Sequence, residues 1–296
     1  MKLNEINIRD PFILPYEGKY YLYGSRVGTP TAKKTWGTQE GFDVYISEDM
    51  ENWSEPKSVF EKGENFWAEE DFWAPEVHFY KNRFYMFATF KAEGKCRGTQ
   101  ILVADRPDTT FTPISEEPVT PKDWECLDGT LYIDKKGNPH IVFCHEWLQI
   151  GDGTVCEIEL SKDLRRAVSA PRKLWSASDY KNVKSVISDK MAYVTDGPFL
   201  YRCENDELIS LWSSFCEKGY AELIAKSDNG DIDGNWTICK HPLFEEDGGH
   251  GMLFENFEGD LCFIMHKPNV STMERPVIKK LKASFENVSY FCLDEF

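Results

Sequence analysis

Short runs of apolar and aromatic residues, about four to eight long and separated by turn residues, recur along the whole chain and read as β-strands. Lys19-Tyr20-Tyr21-Leu22-Tyr23-Gly24, Arg83-Phe84-Tyr85-Met86-Phe87-Ala88 and Glu207-Leu208-Ile209-Ser210-Leu211-Trp212 are three of them. Ile133 between Tyr132 and Asp134 shows the same two-residue period. No long helical period occurs. Five segments open alike, with an acid or a histidine beside a small residue. The openings are Arg9-Asp10-Pro11-Phe12-Ile13, Ala74-Pro75-Glu76-Val77-His78, Leu127-Asp128-Gly129-Thr130-Leu131, Thr195-Asp196-Gly197-Pro198-Phe199 and Gly249-His250-Gly251-Met252-Leu253. They stand roughly 50–70 residues apart. A fixed-period array of short strands points to a propeller or a solenoid.

The expected fold is all-β: a five-bladed β-propeller of about four strands per blade. The blades fall near 8–60, 72–115, 125–176, 192–240 and 248–293. Blades cannot bury their faces singly, so residues 1–296 are expected to form one domain. The first strand of each blade lies next to the central axis. Five equivalent openings would then set Asp10, Glu76, Asp128, Asp196 and His250 around one funnel. Clustered carboxylates are costly unless they do chemistry or bind a cation. The loop-like segments 24–41 and 61–73 are candidates to wall that funnel, the second with Trp67, Trp73, Glu64, Glu69, Glu70 and Asp71.

Composition narrows the partners. The formal net charge of −16 argues against nucleic acid, anionic membranes and anionic substrates. A neutral substrate, with or without a cation, fits best. Aromatic content of 14% leaves rings to spare for stacking on sugars; Trp36, Trp67 and Trp73 are candidates. No stretch of 18 apolar residues occurs. The start Met1-Lys2-Leu3-Asn4-Glu5 lacks an apolar signal region, and the nine cysteines form no CxxC pair. Both features read as a cytoplasmic protein with reduced core thiols.

The order of the five openings resembles that of the family 43 glycoside hydrolases, five-bladed propellers acting on arabinose- and xylose-containing glycans. The resemblance spans nearly the whole chain. It implies roles residue by residue. Asp10 in Arg9-Asp10-Pro11 matches the general base, with Arg9 beside it. Trp73-Ala74-Pro75-Glu76-Val77 matches the second opening, where Trp73 and Glu76 would bind substrate. Asp128 matches the carboxylate that tunes and orients the acid. Asp196 stands where the family carries a glutamate as general acid, one methylene shorter. Gly249-His250-Gly251 matches a motif whose histidine can ligate a metal, so His250 is the candidate for a single calcium ion at the funnel floor. No organic cofactor is implied. His145-Glu146-Trp147 ends a strand of the third blade; His145 and Glu146 are further substrate-binding candidates, and Glu146 is a reserve acid. The implied reaction is inverting hydrolysis of a terminal α-L-arabinofuranosyl or β-D-xylosyl linkage in a short, neutral, plant-derived oligosaccharide. In such enzymes an ionised base and a protonated acid stand roughly 6.5–9.5 Å apart across the bond.

Other readings stand beside these. Asp-Pro and Asp-Gly are also turn signals, and His250 between glycines is also read as a packed core histidine. The shortened acid allows a carbohydrate-binding propeller without catalysis. A glycoside phosphorylase would need a basic phosphate site; only Arg9, Arg26, Lys33 and Lys34 stand near the openings. A partner subunit in a homo-oligomer could complete the funnel wall.

Overall fold

A computed structural model describes residues 1–28 and 38–281. The expected blades are present as five antiparallel sheets, each a meander in chain order. The first holds β1 (Ile8–Tyr16), β2 (Lys19–Val27), β3 (Thr38–Ser47) and β4 (Lys57–Phe60). The second holds β5 (Glu70–Tyr80), β6 (Arg83–Ala92), β7 (Lys95–Ala104) and β8 (Thr112–Pro113). The third holds β9 (Cys126–Ile133), β10 (Pro139–His145), β11 (Thr154–Glu159) and β12 (Arg172–Ser176). The fourth holds β13 (Asp196–Arg202), β14 (Leu208–Cys216), β15 (Gly219–Ser227) and β16 (Trp236–Ile238). The fifth has three strands among the described residues: β17 (Gly249–Glu255), β18 (Leu261–Lys267) and β19 (Arg275–Lys280). The first strands β1, β5, β9, β13 and β17 contact one another in a closed ring around the axis.

The apolar residues of each blade face the next blade, so the core is a set of wedges between sheets. Phe42, Phe60, Phe72 and Phe90 fill the wedge between blades one and two with edge and stacked ring contacts. Trp67 belongs to this wedge, packed on Phe66 and Phe90. Trp36 lies outside the described residues. The N-terminal segment closes the ring. The Met1 ammonium donates to the Trp53 carbonyl in blade one, while Arg275 of blade five donates to the Asn4 carbonyl. Seven cysteines are free thiols, as expected, but Cys239 is disulfide-bonded, which corrects the all-thiol expectation.

Each first strand carries a bulge near its start. The pairing with the second strand skips two residues: 10 and 11, 74 and 75, 128 and 129, 197 and 198, 250 and 251. The first of each pair has positive φ: Asp10 (53°), Ala74 (47°), Asp128 (55°), Gly197 (52°) and His250 (51°). For a non-glycine residue this left-handed conformation is strained by about 1 kcal/mol or more, and the surroundings must hold it. The holder is a side chain from the preceding blade. The Asp10 N–H donates to His266 Nδ1 (3.2 Å), that of Ala74 to Ser25 Oγ (2.8 Å), that of Asp128 to Thr89 Oγ1 (2.9 Å) and that of His250 to Ser213 Oγ (2.7 Å). Each acceptor sits on a second strand, opposite the residue just before that blade's own bulge. The equivalent residue in blade three is Cys144, opposite Leu127. There the Asp128 carboxylate itself accepts the Gly197 N–H at 3.0 Å.

Candidate active site

The bulges turn Asp10, Asp128 and His250 toward the axis, at the floor of a cavity of about 540 Å³. Asp196 lies one residue before its bulge and reaches the same cavity. The equivalence drawn from sequence needs correction at two openings. The residues at the turning position in blades two and four are Ala74 and Gly197, not Glu76 and Asp196. Glu76 lies two residues further along β5, hydrogen-bonded to His78 Nε2 at 3.0 Å, and does not line the cavity. Gly197 cannot be larger without a collision: a Cβ there would lie 2.6 Å from His250 Cδ2.

His250 is the hub of the floor. Its Nδ1 is 3.1 Å from Asp10 Oδ1 and 3.9 Å from Asp128 Oδ2. Burial disfavours a charged imidazole, but Asp10, Asp128 and Asp196 outweigh it and raise its pKa. Burial also opposes ionisation of Asp10; His250 and Arg9, helped by a 2.6 Å hydrogen bond from Ser25 Oγ, reverse this and hold its pKa down to about 2. Asp128 goes the other way. Burial, with Asp196 and Asp10 adding repulsion, pushes its carboxyl up to about 8 against the pull of His250. Asp196 is likewise raised by burial, against His250 and a hydrogen bond from Tyr220. The floor therefore sets one carboxylate held ionised, Asp10, against two carboxyls whose burial favours the protonated form and a histidine whose neighbours favour its cation.

The remaining walls differ in character. On the blade-two side, the Arg97 guanidinium lies 4.5 Å from the centre of the Trp73 ring. Arg97 donates to Asp71 Oδ2 at 2.7 and 3.0 Å, and it pairs closely with Glu146. Burial, against Arg97, pushes the Glu146 carboxyl up to about 7. Arg9 sits between Asp10 and Glu274, donating to Glu274 Oε1 at 2.8 Å. The lining also includes the apolar residues Leu148, Val186, Val194 and Phe215. Leu148, Val186 and the neighbouring Ile187 and Met191 are exposed.

Two candidates do other work. His145 does not line the cavity. Its ring stacks on Trp124 (4.2 Å, 10°) and its Nε2 meets Gln149 Oε1 at 2.7 Å, so it anchors the turn after β10. His250 does not fit a protein-built calcium shell, which takes six to eight oxygens. Its Nδ1 faces two carboxylates as a donor, and among the described residues no group of three or more His, Cys, Asp or Glu has metal-holding geometry.

A model of the glycosyl hydrolases family 43 matches residues 4–282. The chain belongs to that family. Among solved structures it is similar to an endo-arabinase from Bacteroides thetaiotaomicron VPI-5482, at 39% identity and a TM-score of 0.87, covering 96% of this chain and 97% of the other. It is also similar to an endo-1,4-beta-xylanase from the same organism, at 25% identity and a TM-score of 0.74, covering 97% and 94%. Of curated relatives, an extracellular exo-alpha-(1->5)-L-arabinofuranosidase from Cellvibrio japonicus is 23% identical over 73% of this chain and 61% of its own length. An extracellular endo-alpha-(1->5)-L-arabinanase from Bacillus subtilis is 22% identical over 49% and 45%. The chain thus matches less than two thirds of either curated relative's own length.

Sequence reasoning on this family 43 propeller missed Arg97, Asn269 and Tyr220. Arg97 offered a weak signal: with Lys95 it sets two cations at the start of one strand of an acidic chain. Asn269 fixes His266 by accepting at 3.2 Å from its Nε2. His266 Nδ1 is then left to accept the Asp10 N–H, and burial pushes this histidine down to about 3, so it stays neutral.

Proposed function

We propose that this glycosidase hydrolyses α-L-arabinofuranosyl linkages of neutral oligosaccharides with inversion. The observation that carries the reading is the split charge state of the floor: Asp10 held down to about 2, while Asp128 and Asp196, across His250, are raised. A general base must be ionised and a general acid protonated at the same pH. Asp10 takes a proton from water as that water attacks the anomeric carbon. Asp196 gives a proton to the leaving oxygen as the C–O bond breaks. Asp128 accepts the Gly197 N–H and so fixes the turn that presents Asp196, while burial keeps Asp196 from ionising early. His250 stays protonated and fixes Asp10 without competing for its proton. Similarity to an endo-arabinase, an arabinanase and an arabinofuranosidase favours arabinofuranosyl over xylosyl linkages.

Proton NMR of the first turnovers tests the reading. α-1,5-linked arabino-oligosaccharides should release β-arabinofuranose first, faster than xylo-oligosaccharides are cut. Initial release of the α-anomer would rule out inversion. Sugar 1-phosphate formed only with added phosphate would make the protein a phosphorylase, and binding without turnover would make it a lectin-like propeller.

A further inference from the structure

The acid at position 196 is short, and a short arm has less freedom to find the leaving oxygen. What holds it is a side chain two strands away. Tyr220 is the second residue of β15, directly after the tight hairpin at Cys216–Gly219 and opposite Phe215 in the register. Its hydroxyl donates to Asp196 Oδ2 at 2.9 Å. The ring stacks on His266 (5.7 Å, 16°) and packs at a tilt against Phe215 (5.2 Å, 58°). Below it, Gly249 leaves the room the ring needs: a Cβ there would lie 2.9 Å from Tyr220 Cε1 and 3.0 Å from Cδ1. Tyr220 is 1% exposed, so this hydroxyl has one fixed direction.

We propose that Tyr220 is a positioning residue for Asp196, holding Oδ2 so that the acid's proton sits on Oδ1 and faces the leaving oxygen. The proposal rests on the reading of Asp196 as the acid. As the glycosidic C–O bond breaks, the proton passes from Asp196 Oδ1 to that oxygen. The carboxylate left behind already has one oxygen stabilised by the phenol. Tyr220 keeps its own proton throughout, because burial and the nearby Asp196 hold its pKa well above 10. The hydrogen bond also makes Asp196 a stronger acid than burial alone would allow. The other groups acting on Asp196 are Arg9 and Asp10 from blade one, Asp128 and Glu146 from blade three and His250 from blade five.

The test compares Tyr220→Phe, Asp196→Ala and wild type on an arabino-oligosaccharide and on a nitrophenyl arabinofuranoside, across pH. Loss of one hydrogen bond to a charged group in the transition state corresponds to about 10- to 100-fold in rate. Tyr220→Phe should lose about that much kcat on the oligosaccharide, much less on the nitrophenyl substrate, and leave KM within about threefold. Its basic pH limb should move upward, because the acid loses a donor that favoured its ionised form. Placing 3,5-difluorotyrosine at 220, a stronger donor of the same shape, should move that limb downward and covers the case where the Phe variant folds poorly. A wild-type limb in both replacements, with Asp196→Ala still selective against poor leaving groups, overturns the role of Tyr220 alone. If Asp196→Ala shows no such selectivity, the acid assignment fails and the positioning role falls with it.

Discussion

Replacing Asp128 with Asn should stabilise the fold while disabling the enzyme, and the stabilisation should grow with pH. The buried carboxyl is raised to about 8 in the native state, whereas an unfolded aspartate titrates near 3.9. Between those values the native state binds a proton that the unfolded chain releases. Stability contributed by this group is therefore highest below about pH 4 and falls as pH rises toward about 8, by about 1.4 kcal/mol per pH unit. Asn never ionises, so it escapes that loss. It also keeps an oxygen to accept the Gly197 N–H and tolerates the φ of 55° at this position. The ceiling is about 4 kcal/mol at pH 7; sharing of the proton load with Asp196 brings the expected gain to about 2–3 kcal/mol. Urea unfolding of both proteins at pH 5, 6, 7 and 8 measures it. An advantage for Asn that stays flat or shrinks over that range would refute the charge assignment of the whole floor. In the same variant kcat should fall with the basic limb of kcat/KM little moved, because a protonated Asp128 acts on Asp196 through position rather than through charge.

Asp10→Asn should lower turnover by at least about 10²–10⁴-fold with oligosaccharide binding retained, since an amide keeps the shape but cannot take a proton; isothermal titration and single-turnover rates check the two halves. Asp196→Ala should cripple cleavage of oligosaccharides far more than of nitrophenyl arabinofuranosides, and Glu146→Gln should show no such selectivity; the reverse pattern would move the acid to blade three. Gly197→Ala should cost about 2 kcal/mol or more in urea unfolding, from its φ of 52° and the approach of His250, and should displace that histidine enough to reduce kcat.

The blade count and strand starts were legible because closure of the ring repeats one hydrophobic pattern five times. The expected third blade, 125–176, runs from β9 to β12 at Cys126–Ser176. The finer assignment was less legible because it depends on the bulge. A bulge adds a residue to one strand only, and no periodicity in that strand reports which residue turns inward. Glu76 and Asp196 looked like counterparts of Asp10 by their place in a motif, yet the turning positions are Ala74 and Gly197. His145 beside Glu146 showed the same ambiguity: adjacent residues at a strand end point apart, one to Trp124 and the other to Arg97. Tyr220 was invisible for a different reason, lying 24 residues from the acid it touches.

The ring of bulges also explains why a carboxylate stands at position 128. In four blades a side chain from the preceding blade accepts the strained N–H: His266, Ser25, Thr89 and Ser213. Blade three presents Cys144 at that place, and a thiol accepts hydrogen bonds weakly. The Gly197 N–H therefore turns to Asp128 Oδ2. That bond ties the second carboxyl to the backbone directly after Asp196, so Asp128 fixes the turn that presents the acid. A hydroxyl at 144 would compete for the Gly197 N–H and release Asp128. Cys144→Ser should then lower kcat through the acid's position, although residue 144 does not line the cavity. A wild-type kcat in Cys144→Ser would show that the bond from Gly197 does not position the acid.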